Sequence, residues 1–174
     1  GTALNYTEGD GAVQIDNFAS ASDFDSVDFN LGDLSIDITA NGSANDRLSI
    51  KNIGNAGGEI GFDTGTGNVS YEGTLIATSS GGNNGTTPLV ISFNANATIT
   101  AINALIKSIT FENISNSPIT LNRTVSLILT DDDLDASNTV TRSITVANTN
   151  NTGSISIDDT TPAQGQLLTA TVTD

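Results

Sequence analysis

The 174-residue chain has no cysteine, histidine, methionine or tryptophan, and only five basic residues. Each absence removes a class of chemistry. Without cysteine there are no disulfide staples and no thiolate metal sites, and cysteine usage says nothing of the redox compartment. Without histidine as well, zinc and copper lose their usual ligands, and Ser-His-Asp and Cys-His arrangements lose their base. The donors that remain are oxygens, which direct any metal expectation to calcium. Twenty acidic residues give a formal charge of −15. That balance excludes a nucleic-acid partner, whose phosphates need a basic face, and works against an anionic membrane surface. No apolar run is long enough to span a bilayer. The chain opens at Gly1 with no signal peptide and is expected to be an excised piece of a longer protein.

Alternation of apolar and polar residues dominates what is there. It runs through "LSIDIT" (34–39), "RLSIKN" (47–52), "PLVISF" (88–93), "TVSLILT" (124–130) and "TVTRSITVAN" (139–148). These segments are rich in Val, Ile and Thr and are bounded by Gly, Asn and Asp, as half-buried antiparallel strands are. Further strands are expected at 3–7, 12–15, 68–71, 74–78 and 108–113, which together predict an all-β fold, an antiparallel β-sandwich. One stretch departs from this. "TITAINALIKSI" (98–109) spaces Ile99, Ile102, Leu105 and Ile106 at the helical period, with Thr98 or Thr100 as cap, and predicts a short crossing helix over 99–107. The Gly/Asn-rich stretches 54–68 and 79–87 read as loops; neither has the lysine of a phosphate-binding loop. Residues 1–148 are expected to form the sandwich, 149–152 a linker, and 153–174 the first strands of a following repeat, since two strands bury no core alone.

The aspartates fall in two clusters. Asp23, Asp25, Asp28 and Asp33 lie within "DFDSVDFNLGDL" (23–34), just after Asp16 and with no basic residue before Arg47. Each like-charged pair at ~6 Å in water costs about 0.7 kcal/mol, more where half buried. Asp131, Asp132, Asp133 and Asp135 lie in "TDDDLDASN" (130–138), the expected tip of a hairpin. Both clusters have the D-x-D spacing that lets alternate carboxylates converge on one hard cation, with carbonyls completing its shell. Neither is an EF-hand: Val27 and Leu34 occupy ligand positions of the first, and the second lacks the glycine after Asp135. Aspartate is also a common turn residue, and that reading competes with the metal one.

The order of these segments resembles a cadherin-like repeat of very large secreted and surface proteins of bacteria, cyanobacterial and marine ones among them. The likeness is carried by "LNYTEGDGAVQID", "ASDFDSVDFNLGDLSIDI", "NDRLSI", "GTLI", "LVISFNANATITAINALIKSITFEN" and "RTVSLILTDDDLDASNTVTRSITV", and covers roughly residues 3–148. "GSISIDDTTPAQGQLLTATVTD" resembles the opening of another Ig-like bacterial repeat. The resemblance implies tandem β-sandwich modules of Ig/cadherin-like Greek-key type, calcium at acidic loops or junctions, and spacer or adhesive roles outside the cell. The chain departs from the pattern in its hairpin, where Leu134 and Ala136 flank Asp135 in place of an Asp-Gly pair. In an Ig-type sandwich the loop after the first strand and the last hairpin occupy opposite poles. The hairpin is therefore expected within reach of Glu8 and Asp10, and the loop 23–33 near the exit strand.

Catalysis is not expected. A Ser-Lys pair would need Lys51 or Lys107, and both fall on solvent-facing positions. Paired carboxylates for glycoside hydrolysis would normally be joined by aromatics that stack sugars, and only two Tyr and six Phe are present. The expected function is a calcium-binding structural or adhesive repeat whose partners are neighbouring repeats of the same chain. The alternative is a module that binds a glycan or a cell-surface protein through the loops 54–68 and 79–87, with Phe62 and Tyr71 as the aromatics placed for it.

Overall fold

The computed structural model describes residues 2–23 and 28–149. Its strands form two sheets of a β-sandwich. The large sheet holds eight strands in the order β1 (Leu4–Thr7), β11 (Val140–Ala147), β10 (Arg123–Leu129), β3 (Asp33–Ala40), β8 (Thr87–Phe93), β7 (Thr74–Asn84), β6 (Asn68–Tyr71) and β5 (Ile60–Phe62). The small sheet holds β2 (Val13–Gln14), β9 (Ile109–Asn113) and β4 (Asp46–Ile50). One helix, α1 (Ile99–Ser108), leads from β8 into β9 and so joins the two sheets.

Alternation sets which faces meet. Leu34, Ile36 and Ile38 of β3 are buried, as are Leu89, Ile91 and Phe93 of β8. Register stacks these residues in rows: Leu34 pairs with Ile91 on one side and Leu129 on the other, and Ile36 with Leu89 and Leu127. From the small sheet, Leu48 and Val13 flank Phe111, while Ile50 faces Ile109. The rings of Tyr6 and Phe111 meet edge to face, with centroids 5.2 Å apart and planes at 87°. The helix buries Ala101, Ile102, Leu105 and Ile106, the stripe that its period predicts. The Thr98 side chain accepts the Ala101 N–H at its start, and Lys107 in the last turn complements the helix dipole.

Two stretches expected as loops contain strand. β5 lies inside 54–68, and β7 continues through 79–84 to a tight turn before Thr87. Glycine is what lets β7 do so. Gly82 has φ +72°, and a Cβ there would overlap the Leu48 carbonyl of β4. The glycines permit backbone of one sheet to approach backbone of the other, with a bulge between Gly81 and Asn84. The sheets are also not wholly antiparallel. β1 runs parallel to β11, with Leu4 opposite Ile144 and Thr7 opposite Ala147. Apart from Thr149, the expected linker 149–152 and the expected strands in 153–174 lie outside the described residues.

Candidate functional site

β10 ends and β11 begins at one pole, here the hairpin pole; β11 ends at the other, the exit pole. The isolated bridge between Thr130 and Ala136 closes the hairpin that carries Asp131–Asp135. β3 is bonded antiparallel to β10, with Leu34 opposite Leu129, so the loop leading into β3 arrives beside this hairpin. The Thr130 N–H donates to the Asp33 carbonyl at 2.8 Å. Gly32 lies so close to the carbonyls of Thr130 and Asp131 that a Cβ would overlap both. The two aspartate-rich segments, about a hundred residues apart in sequence, therefore share one pole.

This corrects the expected arrangement twice. Of the loop 23–33, Asp23 and residues 28–33 are at the hairpin pole and not near the exit strand, because β3 and β10 are direct neighbours. Glu8 and Asp10 are at the exit pole and not within reach of the hairpin, because β1 runs parallel to β11. There the Glu8 N–H bonds the Ala147 carbonyl, and Glu8 Oε2 accepts the Thr149 N–H at 3.0 Å. Asp10 Oδ2 accepts the Thr7 N–H at 2.7 Å and closes a turn.

Several carboxylates at the hairpin pole shape their own loops. Asp131 Oδ1 accepts the N–H groups of Asp133 at 3.1 Å and Asp135 at 2.9 Å, an arrangement that bends the tip. Leu134 completes the bend at φ +66°. Asp28 Oδ1 accepts the Asn30 N–H at 2.9 Å. Asp132, Asp133 and Asp135 are exposed, whereas Asp23, Asp28, Asp33 and Asp131 are half-buried. Asp23, Asp131 and Asp135 line one small cavity of about 140 Å³, together with Ser22, Ser137 and the ring of Phe29. Among the described residues no three carboxylates are grouped closely enough to hold a metal ion between them. Asp25 lies outside the described residues.

A second polar cluster escaped the sequence reading. Arg123 and Asp46 are both fully buried, joined Nε to Oδ2 at 3.2 Å. Asp46 also accepts the Ser43 N–H at 2.7 Å and the Asn113 side-chain amide at 2.6 Å. Arg123 Nη1 donates to the carbonyls of Ile119 and Leu121. The Tyr6 hydroxyl donates to the Asn113 carbonyl and accepts its N–H, each at 3.0 Å. Burial pushes the Tyr6 phenol above its ordinary value; the Asn113 N–H opposes this, and Glu112, Asp10 and Asp46 add to it. The signal was present in the sequence. Arg123 is in phase with Val125, Asp46 with Leu48 and Ile50, and Asn113 with Phe111 and Ile109, so period two already placed all three inward.

Between the sheets lies a larger cavity of about 330 Å³, walled by Ile15, Leu34, Ile109, Leu127 and others, with the Asp16–Arg142 ion pair at 2.7 Å as its only charges. Phe62 and Tyr71, the aromatics considered for a glycan face, are half-buried against the core. Lys51 and Lys107 are exposed, Lys51 with its ammonium 3.3 Å from Gln14 Oε1. No protein-family model, curated protein or solved structure matches the chain.

Proposed function

We propose that the chain is a calcium-binding structural repeat of a larger extracellular, multi-domain bacterial surface protein. One observation carries the reading: two separate aspartate-rich loops are drawn to a single pole, with Asp23, Asp131 and Asp135 around a common cavity. The donors there are all oxygen, the chemistry that calcium takes in six- to eight-fold coordination and tolerates in irregular geometry. The carboxylates line the cavity without converging, so binding requires Asp23 and Asp135 to close toward Asp131. Asp131 already has one oxygen committed to its turn and offers the other. When bound, the ion would neutralise the repulsion within both loops and tie them together. The likeness to cadherin-like repeats, in which calcium stiffens a chain of modules, supports the same reading. A role in adhesion belongs to this proposal as the function of the assembled repeats.

The test is calorimetric titration of the metal-stripped chain. Calcium is expected to give a saturable heat, and magnesium a weaker one, because it dehydrates reluctantly and demands near-octahedral geometry. A chain that takes up neither ion with saturation ends the proposal.

A further inference from the structure

The inner face of the large sheet is not covered along its whole length. Register puts Val125 beside Arg142 and Leu127 beside Val140 on that face. Cover fails toward the hairpin pole: Val125 is fully buried, Leu127 half-buried and Val140 55% exposed. The reason lies in the opposing sheet, whose edge strand β2 is only two residues long. The loop that continues from β2 contributes the run "ASAS" (19–22), and side chains this small leave the cavity of about 330 Å³ open between loop and sheet.

The walls of this cavity are fixed. The Ile15 N–H bonds the Ile109 carbonyl at 2.9 Å. The Asn103 side-chain amide accepts the Ala21 N–H at 2.8 Å and donates to the Ala21 carbonyl at 3.0 Å. Asp16 ties the same loop to β11 through Arg142. Held in this way, the cavity is formed before anything enters it, as ligand pockets usually are. Its lining is apolar at Ile15, Leu34, Ile106, Leu127 and Leu129, and Arg142 brings hydrogen-bond donors to it. Nη1 of Arg142 bonds Asp16, whereas Nε is buried and has no hydrogen-bond partner among the described residues. Buried donors are nearly always paired, so an orphaned one marks a place where an acceptor belongs. The Arg142 side chain keeps 20% of its surface exposed, so a small rotation presents its Nε edge to the cavity.

Size and charge define the occupant. An apolar cavity of about 150 Å³ takes a benzene ring, so about twice that volume takes roughly a dozen non-hydrogen atoms. Asp16 already neutralises Arg142, and a chain of net −15 works against a second anion. A cation would have to face the guanidinium. We propose that this cavity binds an uncharged amphiphile of that size, its apolar body against Leu127 and Leu129 and a carbonyl oxygen accepting from the Nε edge of Arg142.

Benzylacetone, hydrocinnamate and phenylpropylammonium test this, being close in shape but neutral, anionic and cationic. Each is titrated into the full chain while the methyl signals of Ile106, Ile109, Leu127 and Leu129 are followed. Benzylacetone is expected to shift them with saturation, and to bind at least about tenfold more tightly than either ion. Arg142→Lys keeps a positive charge toward Asp16 but has no Nε edge, and is expected to weaken benzylacetone about tenfold. Ala21→Leu leaves the backbone bonds to Asn103 and is expected to fill the cavity and abolish the shifts. Val140→Trp, at the exposed mouth, blocks the same cavity should Ala21→Leu fail to fold. Shifts without saturation would overturn the proposal, as would an ion that binds as tightly as the ketone. So would ketone binding unchanged in Arg142→Lys or in a folded variant with the cavity filled.

Discussion

Arg123 shows how far one side chain can determine a protein of this composition. It is one of five cations in the chain and is fully buried, with Asp46, two loop carbonyls and, through Asp46, the Asn113 amide depending on its position. Removing one partner of a buried pair leaves an uncompensated charge, which typically costs about 3–5 kcal/mol. Arg123→Met is therefore expected to lower the unfolding free energy by roughly that amount, measured by urea denaturation. Replacing Asp46 by Leu as well should recover only part of the loss. The buried Asn113 amide would lose its strongest partner, and the part-buried Ser43 N–H and Ile119 and Leu121 carbonyls would lose theirs, at a cost of up to about 1–3 kcal/mol each. A double variant as stable as wild type would mean that the network contributes no more than well-packed hydrocarbon. Legibility at this scale was uneven. Period two placed Arg123, Asp46 and Asn113 inward, but a polar residue at an inward position reads as an interruption of the pattern until its partners are known, and these come from β4, β9 and β10.

Elements were more readable than residues. Alternation located the main strands to within a residue or two, and the three-to-four spacing located α1, because side-chain burial imposes those periods directly. Strand segments in 54–68 and 79–87 were missed for a physical reason. In 79–87 the chain has no apolar face to alternate, and its glycines serve the close approach of β7 to β4; in 54–68 the alternating pair Ile60 and Phe62 is too short to stand out among the glycines and asparagines. The pole to which each acidic loop belongs was also misread, since nothing local announces that β1 pairs parallel with the last strand. Gly32 is where element and site meet. Any Cβ at this position overlaps the Thr130 and Asp131 carbonyls, so Gly32→Ala must push the loop 28–33 away from the hairpin. Overpacking of this kind costs typically 1–3 kcal/mol. Chemical-shift changes should concentrate at both acidic segments, 28–33 and 130–137, and spare the exit pole. Changes confined to one segment would show that the two loops are not mechanically joined.

For the whole molecule, the surplus of fifteen negative charges is the dominant electrostatic fact, and its distribution decides what it means. Aspartates dispersed over turns would serve solubility alone. Here two groups of them share the pole opposite the one where the chain exits, and we propose that a calcium ion binds between them. The sign of a stability change separates that claim from solvation by charge. Calcium at about 100 times its dissociation constant adds about 2.7 kcal/mol by linkage, which for a chain of this size is roughly 5–10 °C in Tm. The decisive measurement is the melting temperature of wild type and of Asp23→Asn with Asp135→Asn, each in calcium and in chelator. If calcium ties the loops, chelator lowers the wild-type Tm by several degrees and the double variant has lost most of that response. If the cluster is only a solvated turn, chelator changes nothing and the variant, relieved of two like charges, melts above wild type.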